Sequence, residues 1–518
     1  MNYILAYDLG TGGLKTSLFD ENGQSAGYVF TDYETFYPSK EFREQRPEDW
    51  WNAMTASTRK LVKQTGVDVQ TILAAAVSGH SLGVVPIGYN NELLCPSVPI
   101  WNDGRAVTQA EAFFSKINEN TWYEETGNGF PAHLYSIFKI MWIRDNAPQI
   151  YERCRMFIGT KDYLNFKMTG TLCTDHSYAS GSGVYSLKQN DYVATYIQAS
   201  GIDAKKLPPI LKSTDVIGTL LPSAAKELGL CEHVKICAGG VDNSCMALGA
   251  ACIENGDVYT SLGTSAWIAV ASDRPVIDKE KRPYVFAHCI PGKYVSATAI
   301  FSAGNSLRWV KDNLFYDLAL NEEKSGVNAY AQIDDLAEKS DCGASGLFFV
   351  PALAGGCHLD KSIHLKGGLI GLDLRHTRIH IARAVLEGIC FHLRLALEVL
   401  KQYVFVRDEM LIVGGGSKSK LWRSIFANIY EMTIVTTNIG QDAGSLGAAV
   451  LAAVGSGLWN DFDQIKQLHT IQCKQAPSPA QMQYYQKLLP QYQKAVDVLC
   501  DLSGYTHLAE ENSTNHQI

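Results

Sequence analysis

At 518 residues, with 46% hydrophobic and 19% charged residues, the chain exceeds what one core sustains, so two or more domains are expected to fold without staples. A formal charge of −8 with no basic stripe excludes a nucleic-acid surface. The first residues lack the basic segment of a signal peptide, no apolar run approaches a membrane span, and thirteen scattered cysteines show no zinc-type spacing. The expectation is a soluble cytoplasmic protein with reduced thiols that engages neither membrane nor nucleic acid.

The chain opens on an apolar run from Tyr3 to Leu9, turns at Gly10-Thr11-Gly12-Gly13 and resumes from Leu14 to Phe19, which reads as a hairpin. Asn22-Gly23 predicts a type I′ turn into a third strand through Tyr28-Val29-Phe30. Helical spacing follows from Trp50 to Val62, then a buried strand from Thr71 to Val77 ending in the polar loop Ser78-Gly79-His80-Ser81. Strands followed by helices define an α/β lobe.

A related order returns later. Val234 to Ala238 runs into Gly239-Gly240-Val241-Asp242-Asn243, a helix-compatible stretch spans Cys245 to Ile253, and Gly256 to Ser261 leads into Leu262-Gly263-Thr264-Ser265. Leu-Gly-Thr stands between two extended segments in both halves, which implies a duplicated fold. The halves are placed at 1–250 and 251–505, with a polar tail at 506–518. In the second half, His380 to Leu400 has the spacing of a long amphipathic helix. Met410 to Val413 reads as a strand that enters Gly414-Gly415-Gly416-Ser417, ahead of a helix from Trp422 to Ile429.

Chemistry concentrates in the turns. Thr11, Gly12 and Gly13, with Lys15 just beyond, offer backbone N–H groups to an anion, as do Gly263, Thr264 and Ser265; an ordinary glycine turn is the alternative at either place. Gly415, Gly416 and Ser417 permit close approach of a ligand such as a purine. Asp8 ends a hydrophobic strand and needs a partner, either a Mg²⁺-bound water or the following turn. Asp242 follows two glycines and can take a proton from a hydroxyl attacking phosphorus, or it caps the next helix. Trp101-Asn102-Asp103-Gly104-Arg105 combines an aromatic plate with groups that bond sugar hydroxyls, although a surface turn closed by an Asp–Arg pair has the same composition. His80 is either a contact to that substrate or a structural histidine.

Ser136 to Asn146 resembles the first fingerprint of the FGGY family of carbohydrate kinases, with Leu134 departing from it. Gly367 to Leu372, His380-Ile381 and Ala384 to Glu387 resemble the second. The likeness, greatest to the xylulose-kinase branch, covers nearly the whole chain. It implies an α/β fold of two ribonuclease-H-like, actin-like ATPase domains with a central cleft, and transfer of the γ-phosphoryl group of ATP to a sugar or polyol with Mg²⁺ as cofactor. It further implies that Asp242 and Asp8 are catalytic, with Asp8 positioning Mg²⁺ through water. Thr11, Gly12, Gly13, Lys15, Gly263, Thr264, Ser265, Gly415, Gly416 and Ser417 are implied to hold ATP, and His80, Ser81, Trp101, Asp103, Arg105 and Asn243 the acceptor. Gln441 to Ala449 resembles the family's helix-capping connection. Dimers are frequent in such kinases, so a homodimer is an expectation.

Two departures bear on the acceptor. Gly79-His80-Ser81-Leu82-Gly83 stands where xylulose kinases show Gly-Gln-Met-His-Gly, and Gly355-Gly356-Cys357-His358-Leu359 replaces Gly-Glu-Arg-x-Pro. D-xylulose is the first candidate. Ribulose, fuculose, gluconate, glycerol or another polyol is the alternative, and a nucleotide-dependent sensor without turnover is a third reading.

Overall fold

The computed structural model describes residues 1–440 and 442–514. The chain divides into two compact units, and neither is continuous in sequence: the first contains 1–255, 271–296 and 442–469, the second 256–270, 297–441 and 470–518. The division after Asn255 adds to the first unit two later segments that periodicity along the chain does not reveal.

In the first unit, β1 (Tyr3–Leu9), β2 (Gly13–Asp20) and β3 (Ser25–Asp32) form the antiparallel meander. The turn before β3 is not type I′. Only Gly23 is left-handed (φ 77°), because the Asp20 carboxylate accepts from the amides of Asn22 and Gln24, both at 2.9 Å, and fixes the loop around itself. Helix α1 (Pro47–Thr65) starts on a proline, carries Glu48 and Asp49 in its first turn and stops at left-handed Gly66. Its Trp50, Met54 and Leu61 pack on Leu5, Tyr7, Leu14 and Leu18 of the sheet.

Strand β4 (Ile72–Gly79) runs parallel to β1. The unit continues through α2 (Ser136–Asn146), α3 (Thr160–Thr169), β5 (Val216–Thr219), β6 (Lys235–Cys237) and β7 (Gly240–Val241) into α4 (Asp242–Gly249). Sheet order is β5-β6-β4-β1-β2-β3, with β7 also paired to β4. Asp8 of β1 pairs in register with Ser78 of β4, and Ser78 pairs with Gly240 of β7. Three parallel strand ends thus deliver Asp8, the Ser78–Ser81 loop and Asp242 to one edge.

The second unit repeats the scheme. Strands β8 (Val258–Leu262) and β9 (Ala266–Ser272) form a hairpin, followed by α5 (Gly304–Leu314), α6 (Arg378–Lys401), β10 (Glu409–Val413), α7 (Lys420–Tyr430) and β11 (Thr433–Thr437). The chain then returns to the first unit for α8 (Ala443–Ser456), and closes with β12 (Ile471–Gln475) and α9 (Pro479–Thr514) in the second. The sheet includes the order β9-β8-β10-β11-β12, with β8 and β10 parallel as β1 and β4 are. Residues 506–514, read from sequence as tail, continue α9, whereas 515–518 lie outside the described residues.

A buried network holds the β7–α4 corner. Lys161 donates to Asp162 (2.5 Å) and pairs with Asp175 (3.0 Å), all three shielded from solvent, and also donates to the carbonyl of Ala238 (3.0 Å). Asp175 accepts from Ser177 and Ser213, and the Ser177 hydroxyl accepts from the Val241 amide (2.9 Å), one residue before Asp242. Burial alone would lower the Lys161 pKa, but Asp162 and Asp175 outweigh it and raise it. Replacing Lys161 by Met strands both carboxylates in the interior, and urea unfolding should show a loss of about 3–5 kcal/mol.

Candidate active site

Asp8 ends β1 with its carboxylate accepting from the Ser78 hydroxyl (2.9 Å) rather than from the following turn. Burial raises its pKa; the Ser78 bond and Lys15 oppose that, and Asp442 adds to it. Lys15, on the returning strand, is salt-bridged to Asp442 and lies 4.4 Å from the Tyr28 ring centroid. Gly444 follows at the start of α8, where an added Cβ would stand 2.7 Å from an Asp8 carboxylate oxygen. Asp442 and Gly444 were read from sequence only as parts of a capping connection. Gln441, which opens that motif, lies outside the described residues.

Asp242 is the first residue of α4 and is part-exposed. One of its oxygens accepts from the Asn243 amide at 2.8 Å, so it does not cap the helix in the usual manner, which reaches two or three residues ahead. Burial, then the charge of Asp8, pushes the carboxyl up to about 7. A carboxylate in this state is a far stronger base than one in water.

The Gly10–Gly13 turn is closed by the Gly10 amide on the Gly13 carbonyl at 3.0 Å. Thr11 is held on both sides: its carbonyl accepts from Gln45 (2.7 Å) and its hydroxyl from the Trp101 indole (2.9 Å). At Gly12 a side chain would meet nothing within 4 Å, so its backbone is open to a ligand. Gly13 has a different reason to be glycine, since a Cβ there would stand 2.4 Å from Phe30 and 2.7 Å from the Thr31 carbonyl.

The acceptor loop differs from its sequence reading. Asp103 is fully buried, and its two oxygens accept from the Arg43 amide (2.7 Å), the Arg105 amide (3.3 Å), and Nε (2.7 Å) and Nη2 (2.8 Å) of Arg105. Arg105 further pairs with Glu44 at 2.5 Å and stacks on Phe42 and Trp142. A carboxylate with four donors has no lone pair left for a sugar, so the Asp–Arg pair closes the turn and does not face a substrate. The carbonyl oxygen of Asn102, buried and without a partner among the described residues, is the unspent polar atom of this loop.

Lys139, unrecognised from sequence because it sits in an apolar helical stretch, fastens the loop from behind. Its ammonium donates to the carbonyls of Leu82 (3.0 Å), Ile100 (2.6 Å) and Trp101 (3.3 Å), matching its three hydrogens, although burial draws its pKa down to about 7. Leu82 is left-handed (φ 60°), and its side chain is buried with Val84, Ala106 and Phe138. His80 packs edge-on to Trp50, and neither of its ring nitrogens has a partner among the described residues. Burial, with the Lys139 charge, pushes this imidazole down to about 3, so it is neutral. Ser81 is also buried, whereas Trp101 and Asn243 are part-exposed.

In the second unit the Gly263–Ser265 turn is braced by the start of α5. The amides of Ala303 and Asn305 donate to the Thr264 carbonyl (3.1 and 2.9 Å), and that of Gly304 to the Gly263 carbonyl (3.0 Å). The positive end of a helix therefore abuts this turn, a local field favourable to phosphate that sequence reading missed. The glycine run after β10 adjoins it. Gly414 (φ 96°) and Gly416 admit no side chain because Leu262 is in the way, while Gly415 is open. Ser417 donates to the Gly414 carbonyl at 2.7 Å.

Comparison with known proteins agrees with this arrangement. Residues 3–249 match the N-terminal domain, and residues 258–456 the C-terminal domain, of the FGGY family of carbohydrate kinases. A xylulose kinase of Bacillus subtilis is 30% identical over 466 residues, 90% of each chain. The ligand-bound xylulose kinase of Lactobacillus acidophilus superimposes with a TM-score of 0.88 at 26% identity, over 98% of this chain and 100% of that one. The gluconate kinase of the same organism does so equally, over 98% and 99%. Each of the two units has the ribonuclease-H-like fold of the actin-like ATPase class. The chain belongs to the FGGY family of carbohydrate kinases and is an enzyme of ATP-dependent sugar phosphorylation. Among the described residues, no helix is long and apolar enough to cross a membrane.

Proposed function

We propose that the chain phosphorylates a neutral ketose, with D-xylulose the first candidate, and that Asp242 is the proton acceptor. The observation that carries the reading is the Asp242 carboxyl, raised to about 7 at the end of the parallel strands, where β7 pairs with the Ser78–Gly79 end of β4 that leads into His80 and Ser81. The acceptor hydroxyl loses its proton to Asp242 as its oxygen attacks the γ-phosphorus of ATP, and the bond to the β-phosphate oxygen breaks, leaving ADP. Thr11, Gly12 and Gly13 are assigned to ATP phosphates, as are Gly263, Thr264 and Ser265, and Gly415, open at its Cβ position, and Gly416 with Ser417 are assigned to adenosine. Lys15 is assigned to the same phosphates, its charge shared with Asp442. The carboxylates of Asp8, Asp242 and Asp442 are hard oxygen donors that suit Mg²⁺, with Asp8 the group to hold it through water. Bound there, the ion would offset charge on the phosphates.

Charge separates a neutral acceptor from an anionic one such as gluconate. The basic side chains around the acceptor loops and the strand ends are engaged: Lys15 with Asp442, Arg105 with Asp103 and Glu44, Lys161 with Asp162 and Asp175, Lys139 with three carbonyls, and Arg43 with the carbonyls of Lys40 and Phe42. Three of these charges, on Lys15, Arg105 and Lys161, are already balanced by carboxylates, which favours a neutral acceptor over a substrate carboxylate. Neutral His80 instead offers one donor and one acceptor, the complement of a hydroxyl. Trp101 supplies an apolar plate, and Ser81, Asn102 and Asn243 further polar contacts.

Coupled ADP-release assays test both parts. Among D-xylulose, ribulose, fuculose, gluconate and glycerol, kcat/KM should be highest for a neutral ketose and about 100-fold lower for gluconate; the reverse order overturns the acceptor assignment. Asp242→Asn should cost about 10²–10⁴ in kcat. Because this base acts only when ionised, kcat/KM of the wild-type enzyme should climb with pH through about 7 and be lost below it. His80→Leu removes two unsatisfied buried nitrogens, so thermal stability should hold or rise while KM for the acceptor increases about tenfold or more.

A further inference from the structure

The segment that replaces Gly-Glu-Arg-x-Pro has no part in the chemistry above, yet its side chains converge on a second set of ligating groups. Gly355 is left-handed (φ 95°), and the loop after it folds on itself: the Gly356 amide donates to the Ile363 carbonyl (3.1 Å), and the Asp360 amide to the Cys357 carbonyl (3.1 Å). This turn presents Cys357 and Asp360 to His392 of α6, within the second unit. One thiol sulfur, one carboxylate oxygen and one ring nitrogen, all on nearly buried side chains, lie within 4.8 Å of one another. They border a cavity of about 10 Å³, walled also by Ile300, Phe301 and Pro351, which is room for one particle the size of a water or an ion.

The hydrogen bonds around His392 fix which nitrogen faces the cluster. Tyr492 of α9 donates its phenolic hydrogen to the Gly388 carbonyl at 3.0 Å, so at 3.3 Å from Nδ1 of His392 its oxygen can only accept. Nδ1 therefore bears the hydrogen, and in neutral imidazole Nε2 is a bare lone pair. That lone pair stands 3.3 Å from the Asp360 carboxylate, whose other oxygen is occupied by the Cys357 amide at 2.8 Å. A carboxylate and a ring nitrogen facing each other in the interior call for a cation between them, either a proton on Nε2 or a metal ion. The phenol, moreover, holds the ring as the outer partner of a metal-binding histidine does.

We propose that Cys357, Asp360 and His392 bind one transition-metal dication of the Zn²⁺ class, which clamps the 355–365 loop onto α6. A thiolate and an imidazole select such a metal over Mg²⁺ or Ca²⁺. Tetrahedral Zn²⁺ ligands lie about 3.3–3.8 Å apart, so the His392–Asp360 pair is already spaced for it and the other pairs, within 4.8 Å, need close by no more than about 1.5 Å. The remaining coordination position faces the cavity and suits a water. The spacing of Cys357, Asp360 and His392 along the chain matches no zinc motif, since the third ligand comes from a helix 32 residues further on, and this explains the sequence-level expectation of no metal cluster.

The test is titration of the full chain, stripped with chelator, with Co²⁺ followed by absorption. One equivalent should bind with thiolate-to-metal charge transfer, Zn²⁺ should displace it, and Zn²⁺ should raise the melting temperature. Cys357→Ala should abolish the charge-transfer band, His392→Gln should weaken binding at least about tenfold, and Tyr492→Phe should weaken it about 10–100-fold. Circular dichroism and ADP release establish that each variant is folded; should Cys357→Ala fail to fold, the band is read in Cys357→Ser. Absence of a stoichiometric Co²⁺ or Zn²⁺ equivalent in the wild-type chain overturns the proposal and leaves a His392–Asp360 ion pair. A band unchanged without Cys357 also overturns it, by assigning the metal to another of the thirteen cysteines.

Discussion

Two helices, α4 and α8, touch backbone to backbone, and the edge of the first unit that presents Asp8 and Asp242 depends on it. A Cβ on Gly249 would stand 1.7 Å from the Ala443 carbonyl, and one on Gly447 would stand 1.9 Å from that of Cys245. No side chain fits at either place, so only glycine allows the helices to approach this closely. The approach has a chemical result. α4 begins at Asp242 and α8 begins just after Asp442, so residues 200 apart in sequence reach the same strand ends as Asp8 and Lys15.

Charge is handled in two ways around that edge. Cations are used up structurally: Lys139 gathers three carbonyls and Lys161 two carboxylates, each drawing segments that are distant in sequence into one place. The carboxylates Asp8 and Asp242 are opposed by burial, Asp8 also by Asp442 and Asp242 also by Asp8, with Ser78 and Lys15 compensating Asp8 only in part. Uncompensated like charges weaken a fold, and they persist in sites that handle protons or cations. The contrast between satisfied bases and unsatisfied acids is the electrostatic signature of this unit.

Much of this was legible in the sequence, because the signals were local. The hairpins follow from alternation interrupted by glycine, and the two Leu-Gly-Thr turns mark corresponding hairpins, β1–β2 and β8–β9. Long-range partners were not legible. Asp103 and Arg105 suggested a sugar site from their types, but Glu44 and the Arg43 amide, some sixty residues earlier, complete a buried pair. Lys139 and Lys161 carry no local signal of their roles, because the carbonyls and the Asp175 carboxylate that receive them come from distant segments. The Asn22-Gly23 turn was mistyped because the Asp20 side chain, not the dipeptide, sets its geometry. At Gly13 the sequence also hid a second reason for glycine, since the neighbouring strand forbids a side chain there.

The first unit closes only when residues 442–469 rejoin it, after the chain has built much of the second. On the ribosome, its sheet can assemble from the first 241 residues, but α4 must wait for α8 with its glycine face uncovered until nearly nine-tenths of the polypeptide has been made. The first half is therefore not a module that could be cut out alone: a gene fragment ending near the midpoint would encode its sheet without α8 to cover α4.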